Sequence, residues 1–81
     1  FEADSRRMAR HVLKVLLMFS LLDRERVPLA LLAAYVERVP IYGEFNARYF
    51  GLPAGELADQ LVGDLVRAGA ARIDDGVVVP G

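Results

Sequence analysis

The side chains that could act as nucleophiles or bases are few in this chain, and they do not form a catalytic set. The sequence has no cysteine and no threonine, two serines, Ser5 and Ser20, and one histidine, His11. Nucleophilic catalysis needs a nucleophile within hydrogen-bond reach of a base. Ser20 and His11 share one predicted helix but are separated by about 13 Å along its axis. We therefore expect no enzymatic activity, and His11 is better explained as a surface or interface residue.

Carboxylates are the other groups whose spacing could support chemistry. Glu56 and Asp59 are three residues apart, and Asp64 lies further along the same predicted helix. Such oxygens could hold a hard cation, but a solvated helical face explains the spacing more simply. Asp74 and Asp75 suit a turn. The absence of cysteine removes thiolate metal sites and is compatible with a reducing compartment such as the cytoplasm. We expect no metal and no cofactor.

Length and charge limit the classes of protein to which the chain can belong. Its 81 residues make one small domain, and 54% of them are hydrophobic, which is enough for a core without disulfides. Residues 1–41 carry a net charge of +2 and residues 42–81 a net charge of −3. The apolar run over residues 12–22 is interrupted by Lys14 and Ser20 and is shorter than the roughly 20 residues of a membrane span. No small-residue cleavage site follows it, so we expect neither a membrane segment nor a signal peptide.

The first predicted helix, residues 5–22, begins at a cap formed by Asp4 or Ser5. Its apolar residues fall on two sides of a helical wheel. One side holds Met8, Val12, Val15, Leu16, Phe19 and Leu22. The other side holds Leu13, Leu17, Met18 and Leu21. A surface helix of a small domain buries one apolar face. We therefore expect the side with Leu13 to be covered by a second copy in a homodimer, or by another part of a longer parent chain.

The remaining elements follow from proline, glycine and the apolar periodicity. Pro28 opens a second helix and Pro40 ends it, and Ile41 is expected in a short strand. The predicted helices after the first cover residues 28–39, 43–50 and 53–68. Two strand-like segments, 70–73 and 77–79, are joined through Asp75-Gly76, a pair that favours a two-residue hairpin because both central positions of a type I′ turn need positive φ.

The stretch from Ile41 to Gly69 resembles the helix–turn–helix of the winged-helix superfamily. Small Ala47 stands where two helices approach, and Gly51 supplies the left-handed residue that ends the third helix. Leu52 then enters the core, and Pro53 opens the fourth helix. Asn46 departs from the family, which usually has an aliphatic residue there.

The resemblance covers residues 28–80 and implies an α+β, mostly helical fold. That fold is a winged helix-turn-helix with an additional N-terminal helix and a short β-hairpin wing. It divides the chain into residues 1–27, an N-terminal helix and connector for dimerisation or docking, and residues 28–81, the winged-helix domain.

DNA binding is the function that the family implies, with the fourth helix in the major groove. Gln60 is the favoured base reader on that helix, and arginines could contact the backbone. The DNA-contact candidates are Arg48, Gln60, Arg67 and Arg72. Against this, Glu56 and Asp59 would lie beside phosphates and repel them, and the predicted hairpin tip is acidic.

A protein interface is the competing explanation of the same surface. Tyr42 and Tyr49 are expected to be partly exposed, and a tyrosine beside Arg48 suits an interface. The interface candidates are Leu13, Leu17, Met18, Leu21, Tyr42 and Tyr49. We therefore expect a docking or dimerisation module of a DNA-associated protein, with weak DNA binding by the isolated domain. The alternative is a direct, sequence-specific DNA-binding domain of a transcription regulator.

Overall fold

The longest element is helix α1, Glu2–Arg24, in a computed structural model that describes residues 2–81. It extends the predicted helix by a few residues at each end. Leu13, Leu17 and Leu21 recur every four residues and therefore lie on one face, and all three are buried in the core. We expected a second copy or another part of a longer chain to cover this face. That expectation was wrong, because the described residues of this chain already cover it.

Three further helices follow in the chain. They are α2, Leu29–Arg38; α3, Pro40–Phe45, which continues into a π-helical segment, Asn46–Phe50; and α4, Ala54–Arg67. Pro40 occupies the first turn of α3, where its missing N–H is not needed, so it both ends α2 and begins α3. The third helix thus begins earlier than predicted, and the strand expected at Ile41 was wrong because Ile41 lies inside α3.

Helices α2 and α4 approach each other closely. We expected the close approach at Ala47, on the third helix. Ala47 is exposed, so it does not lie where two helices meet. A Cβ built on Gly55 of α4 would instead lie 3.8 Å from the Cβ of Ala33 on α2. Gly51 does adopt the predicted left-handed conformation, with φ of 65°, between the π-helical segment and α4.

The sheet is small and antiparallel, with three strands in the order β1-β3-β2. The strands are β1, Val27–Pro28; β2, Ala71–Asp74; and β3, Val77–Pro80. Asp75 and Gly76 have φ of 51° and 74°, so the predicted hairpin turn is confirmed. Val78 pairs with Val27 on one side and with Ile73 on the other. The chain is therefore mostly helical with a small antiparallel sheet, as expected for an α+β protein.

One hydrophobic core joins the helices to the central strand. Buried side chains from all four helices and from strands β2 and β3 form a single cluster. Its largest members are Leu13, Leu17, Leu21, Leu32, Val36, Tyr42, Leu57, Leu61, Val62 and Val78. The division that we expected between residues 27 and 28 falls inside β1, and α1 shares one core with the later helices and the hairpin strands. Across residues 2–81, no helix is long and apolar enough to cross a membrane.

Candidate interaction surface

Helix α4 buries one face and presents an acidic one. Leu57, Leu61 and Leu65 are buried, whereas Glu56 and Asp59 on the outer side of its first half are exposed. The two acids of the hairpin, Asp74 and Asp75, are also exposed. No hydrogen bond or ion pair within residues 2–81 engages any of these four carboxylates. The outer face of α4 and the hairpin tip therefore carry negative charge that is open to solvent.

Asp64, on the edge of α4 that faces α1, has a different environment. Its side chain is only 14% exposed. Arg10 donates to it in a bidentate manner, from Nε to Oδ2 at 2.6 Å and from Nη2 to Oδ1 at 3.0 Å. Arg67 Nη2 donates to Oδ1 at 2.5 Å, and Lys14 Nζ lies 3.8 Å from Oδ2. The Asp64 carboxylate thus interacts with three cationic side chains, and two of them, Arg10 and Lys14, link α1 to α4.

The hydrogen bond from Arg10 lowers the pKa of Asp64 below its ordinary value. Partial burial opposes this shift, and the bond from Arg67 and the charges of Arg10 and Lys14 add to it. Because the charged form is the favoured one, Asp64 is an anion throughout the physiological range.

The DNA-contact candidates divide between this network and other elements. Gln60 Oε1 accepts a hydrogen bond from Arg10 Nη1 at 3.1 Å, and Arg67 bonds Asp64. Arg48 is on the π-helical segment, with its guanidinium carbon 5.4 Å from the centre of the Tyr49 ring. Arg72 is exposed on β2. The structure therefore brings Gln60 and Arg67 together beside Asp64, and it places Arg48 and Arg72 on separate elements.

The interface candidates are mostly internal. The three leucines of α1 are buried, and Tyr42 is only 1% exposed. Met18 and Tyr49 are half-buried. The expectation that Tyr42 is partly exposed was wrong, because Tyr42 lies inside α3 and its side chain belongs to the core. Its ring contacts that of Tyr35 edge-on, with centroids 5.6 Å apart. Burial raises the pKa of Tyr42, and the neighbouring Tyr35 side chain adds to the shift. Within residues 2–81, no hydrogen bond of good geometry reaches the Tyr42 hydroxyl.

The exposed apolar surface of α1 lies on its other side. Met8, Phe19 and Leu22 are 64%, 60% and 54% exposed, and Val12 and Val15 between them are half-buried. The sequence showed both apolar sides of this helix, but wheel positions alone could not tell which side the domain would cover.

Asn46 holds the turn between the π-helical segment and α4, a role that the sequence reasoning missed. Its Nδ2 donates to the Leu52 carbonyl at 2.6 Å, and its Oδ1 accepts from the Leu52 N–H at 3.0 Å. Both backbone groups of Leu52 are thereby satisfied across the left-handed Gly51. The available signal was a polar residue at a position where the resemblance noted above implies an aliphatic one.

Among residues 2–81, no three acidic or histidine side chains come close enough together to hold a metal ion. The chain was also compared with family models, with curated proteins and with solved structures, and nothing matched.

Proposed function

We propose that this chain is a winged-helix module of a DNA-associated protein and that it acts mainly in protein docking or dimerisation. The order of the elements supports the fold. A short first strand, β1, precedes α2 and pairs with the hairpin that follows α4, and the hairpin takes the place of the wing. The first strand lies at Val27–Pro28 rather than at Ile41. Helix α1 precedes it and contributes to the core as an integral element of the module.

The observation that carries the docking function is the charge on α4. In the docking mode of the family, the outer face of this helix enters the major groove between two rows of phosphates. Glu56 and Asp59 occupy that face, and Asp74 and Asp75 occupy the hairpin tip. Acids in these places oppose binding, because few counterions are released from the DNA and like charges meet.

The basic side chains near α4 do not offset these acids. Arg10, Lys14 and Arg67 are gathered around Asp64, which neutralises part of their charge. Gln60 could read adenine only after giving up its hydrogen bond from Arg10. The apolar surface of α1 also supports a docking function. Met8, Phe19 and Leu22 are each more than half exposed on this one helix, as is typical of a protein-binding site.

A direct DNA-binding domain is the second candidate, and one arrangement favours it. Arg6, Arg7 and Arg10 line a surface groove together with Gln60. These arginines flank α4 on the side of α1, where phosphates would lie if Gln60 entered the groove. In this alternative, Gln60→Ala and Asp59→Ala weaken one preferred site much more than random duplex.

A charge-swap experiment separates the two functions. We expect Glu56→Gln combined with Asp59→Lys to raise affinity for random duplex DNA by about tenfold at low salt, and the gain should fade as salt is added. The matched control is Glu37→Gln combined with Asp23→Lys, which makes the same change in net charge at exposed positions on other helices. Fluorescence anisotropy measures both variants. An equal gain in the control, or no gain in the α4 variant, would contradict the argument from local repulsion.

A further inference from the structure

The exposed apolar row of α1 has the spacing of a coiled-coil seam. Met8, Val12, Val15, Phe19 and Leu22 are separated by four, three, four and three residues. This alternation averages 3.5 residues, which is the repeat that keeps one row of side chains facing a partner helix in a left-handed coiled coil. A helix that only had to cover a globular core would not need a second row of this kind, since its core leucines already lie on the opposite side.

The rest of the domain leaves the two ends of this row open and partly covers its middle, where Val12 and Met8 line a groove with Phe45 and Tyr49. Its end members, Met8, Phe19 and Leu22, are each more than half exposed, and the valines between them are half-buried. The row spans about 21 Å, or four helical turns. It is therefore long enough for a helix pair.

The charge pattern identifies the kind of helix that fits. Between residues 8 and 22 the only charged side chains are Arg10 and Lys14, and both are directed to Asp64 on α4. The side chains that border the row are uncharged or apolar, among them His11, Leu16 and Met18. Two identical rows can therefore meet without like-charge repulsion, which a row bordered by unpaired lysines or glutamates would not allow.

We propose that this row, from Met8 to Leu22, pairs with the same row of a second copy of the chain. The inference rests on the proposed docking function and names its partner. Two such rows would bury about 1,000 Å² in total, which is below the area of about 1,200–2,000 Å² found in stable complexes and is typical of a weak, reversible one. We therefore expect a dimer with a dissociation constant between about 1 and 100 μM.

Sedimentation equilibrium tests the pairing on the 81-residue chain. Wild type should change from monomer to dimer as its concentration rises, and Phe19→Glu should raise the dimer dissociation constant by at least about 100-fold. Met8→Glu, at the other end of the row, serves as a second variant. The matched control is Leu31→Glu, because Leu31 is 59% exposed on α2, away from the row. Far-UV circular dichroism verifies that each variant is folded.

Cysteine cross-linking locates the contact, because the wild-type chain contains no cysteine. If the two helices run parallel, Met8→Cys and Leu22→Cys should each form a disulfide with the same residue of a second copy. If they run antiparallel, neither variant should react alone, and a mixture of Met8→Cys and Leu22→Cys should cross-link, because position 8 then lies opposite position 22. Leu31→Cys is the control and should not react above background.

Two results would overturn the proposal. One is a wild-type chain that stays monomeric up to a concentration of about 1 mM, which is above the dissociation constant expected for the dimer. The other is a dimer that Leu31→Glu weakens as much as Phe19→Glu does. Either result leaves the docking function standing with a different partner, because that function is tested separately by the DNA titration of the α4 variants.

Discussion

Replacing Asp64 by asparagine should expose how much the link between α1 and α4 contributes to stability. The substitution keeps the shape of the side chain and removes its charge. Arg10 would then lose a bidentate carboxylate partner, with contacts of 2.6 and 3.0 Å, while remaining partly buried. Hydrogen bonds to charged groups contribute about 1.5–3 kcal/mol. The bond from Arg67 adds little, because that side chain is 71% exposed and screened by water.

We therefore expect Asp64→Asn to lower the free energy of unfolding at pH 7 by about 2 kcal/mol, and the midpoint of thermal unfolding by about 10 °C. Urea denaturation followed by circular dichroism measures the free energy. Asp59→Asn is the control, because it makes the same chemical change on the exposed face of α4 and should cost under about 0.5 kcal/mol.

At acidic pH, the difference in the free energy of unfolding between wild type and Asp64→Asn should disappear. Because Arg10 lowers the pKa of Asp64 in the folded state, this stabilisation is complete above the unfolded pKa of about 3.9. It is lost as the pH falls through the lower folded pKa. The two proteins should thus converge in stability as the pH is taken from 5 toward 2. A variant as stable as wild type at pH 7, or a difference that persists unchanged in acid, would refute this explanation.

Two further substitutions test the interior. Tyr42→Phe should leave the free energy of unfolding unchanged or raise it by about 1 kcal/mol, because no hydrogen bond of good geometry reaches the buried hydroxyl within residues 2–81. Urea denaturation measures the change. A loss above about 1 kcal/mol would show that the hydroxyl does have a hydrogen-bond partner. Asn46→Ala should cost about 2 kcal/mol by freeing both backbone groups of Leu52. Asn46→Leu, which puts an aliphatic side chain of similar size there, should be destabilising too. A stabilised Asn46→Leu protein would mean that the side-chain hydrogen bonds to Leu52 are unimportant.

The elements that follow local rules could be predicted from the sequence. The hairpin turn was predicted because Asp75-Gly76 is a pair suited to positive φ at both positions. Gly51 was likewise predicted to be left-handed, since it separates two helical patterns. Both depend on one or two residues and their immediate neighbours.

The parts that depend on tertiary packing could not be predicted. The sequence shows that α1 has two apolar sides. Which side is buried depends on α4 and β3, because their side chains share one core cluster with Leu13 and Leu17. The pairing of Arg10 with Asp64 joins residues 54 positions apart, beyond the reach of any helical spacing. The first strand was placed at Ile41 because β1 is only two residues long and its partner is distant in the chain.

The most direct test of the docking account is a titration of the wild-type domain against a randomised pool of duplex DNA at physiological salt, followed by rounds of selection. Fluorescence anisotropy reports the affinity, and sequencing of the retained duplexes reports any preference. The exposed acids of α4 and the hairpin tip predict weak binding that salt abolishes, with no consensus after selection. Recovery of a consensus site bound with sub-micromolar affinity would contradict the account and establish the chain as a direct DNA reader.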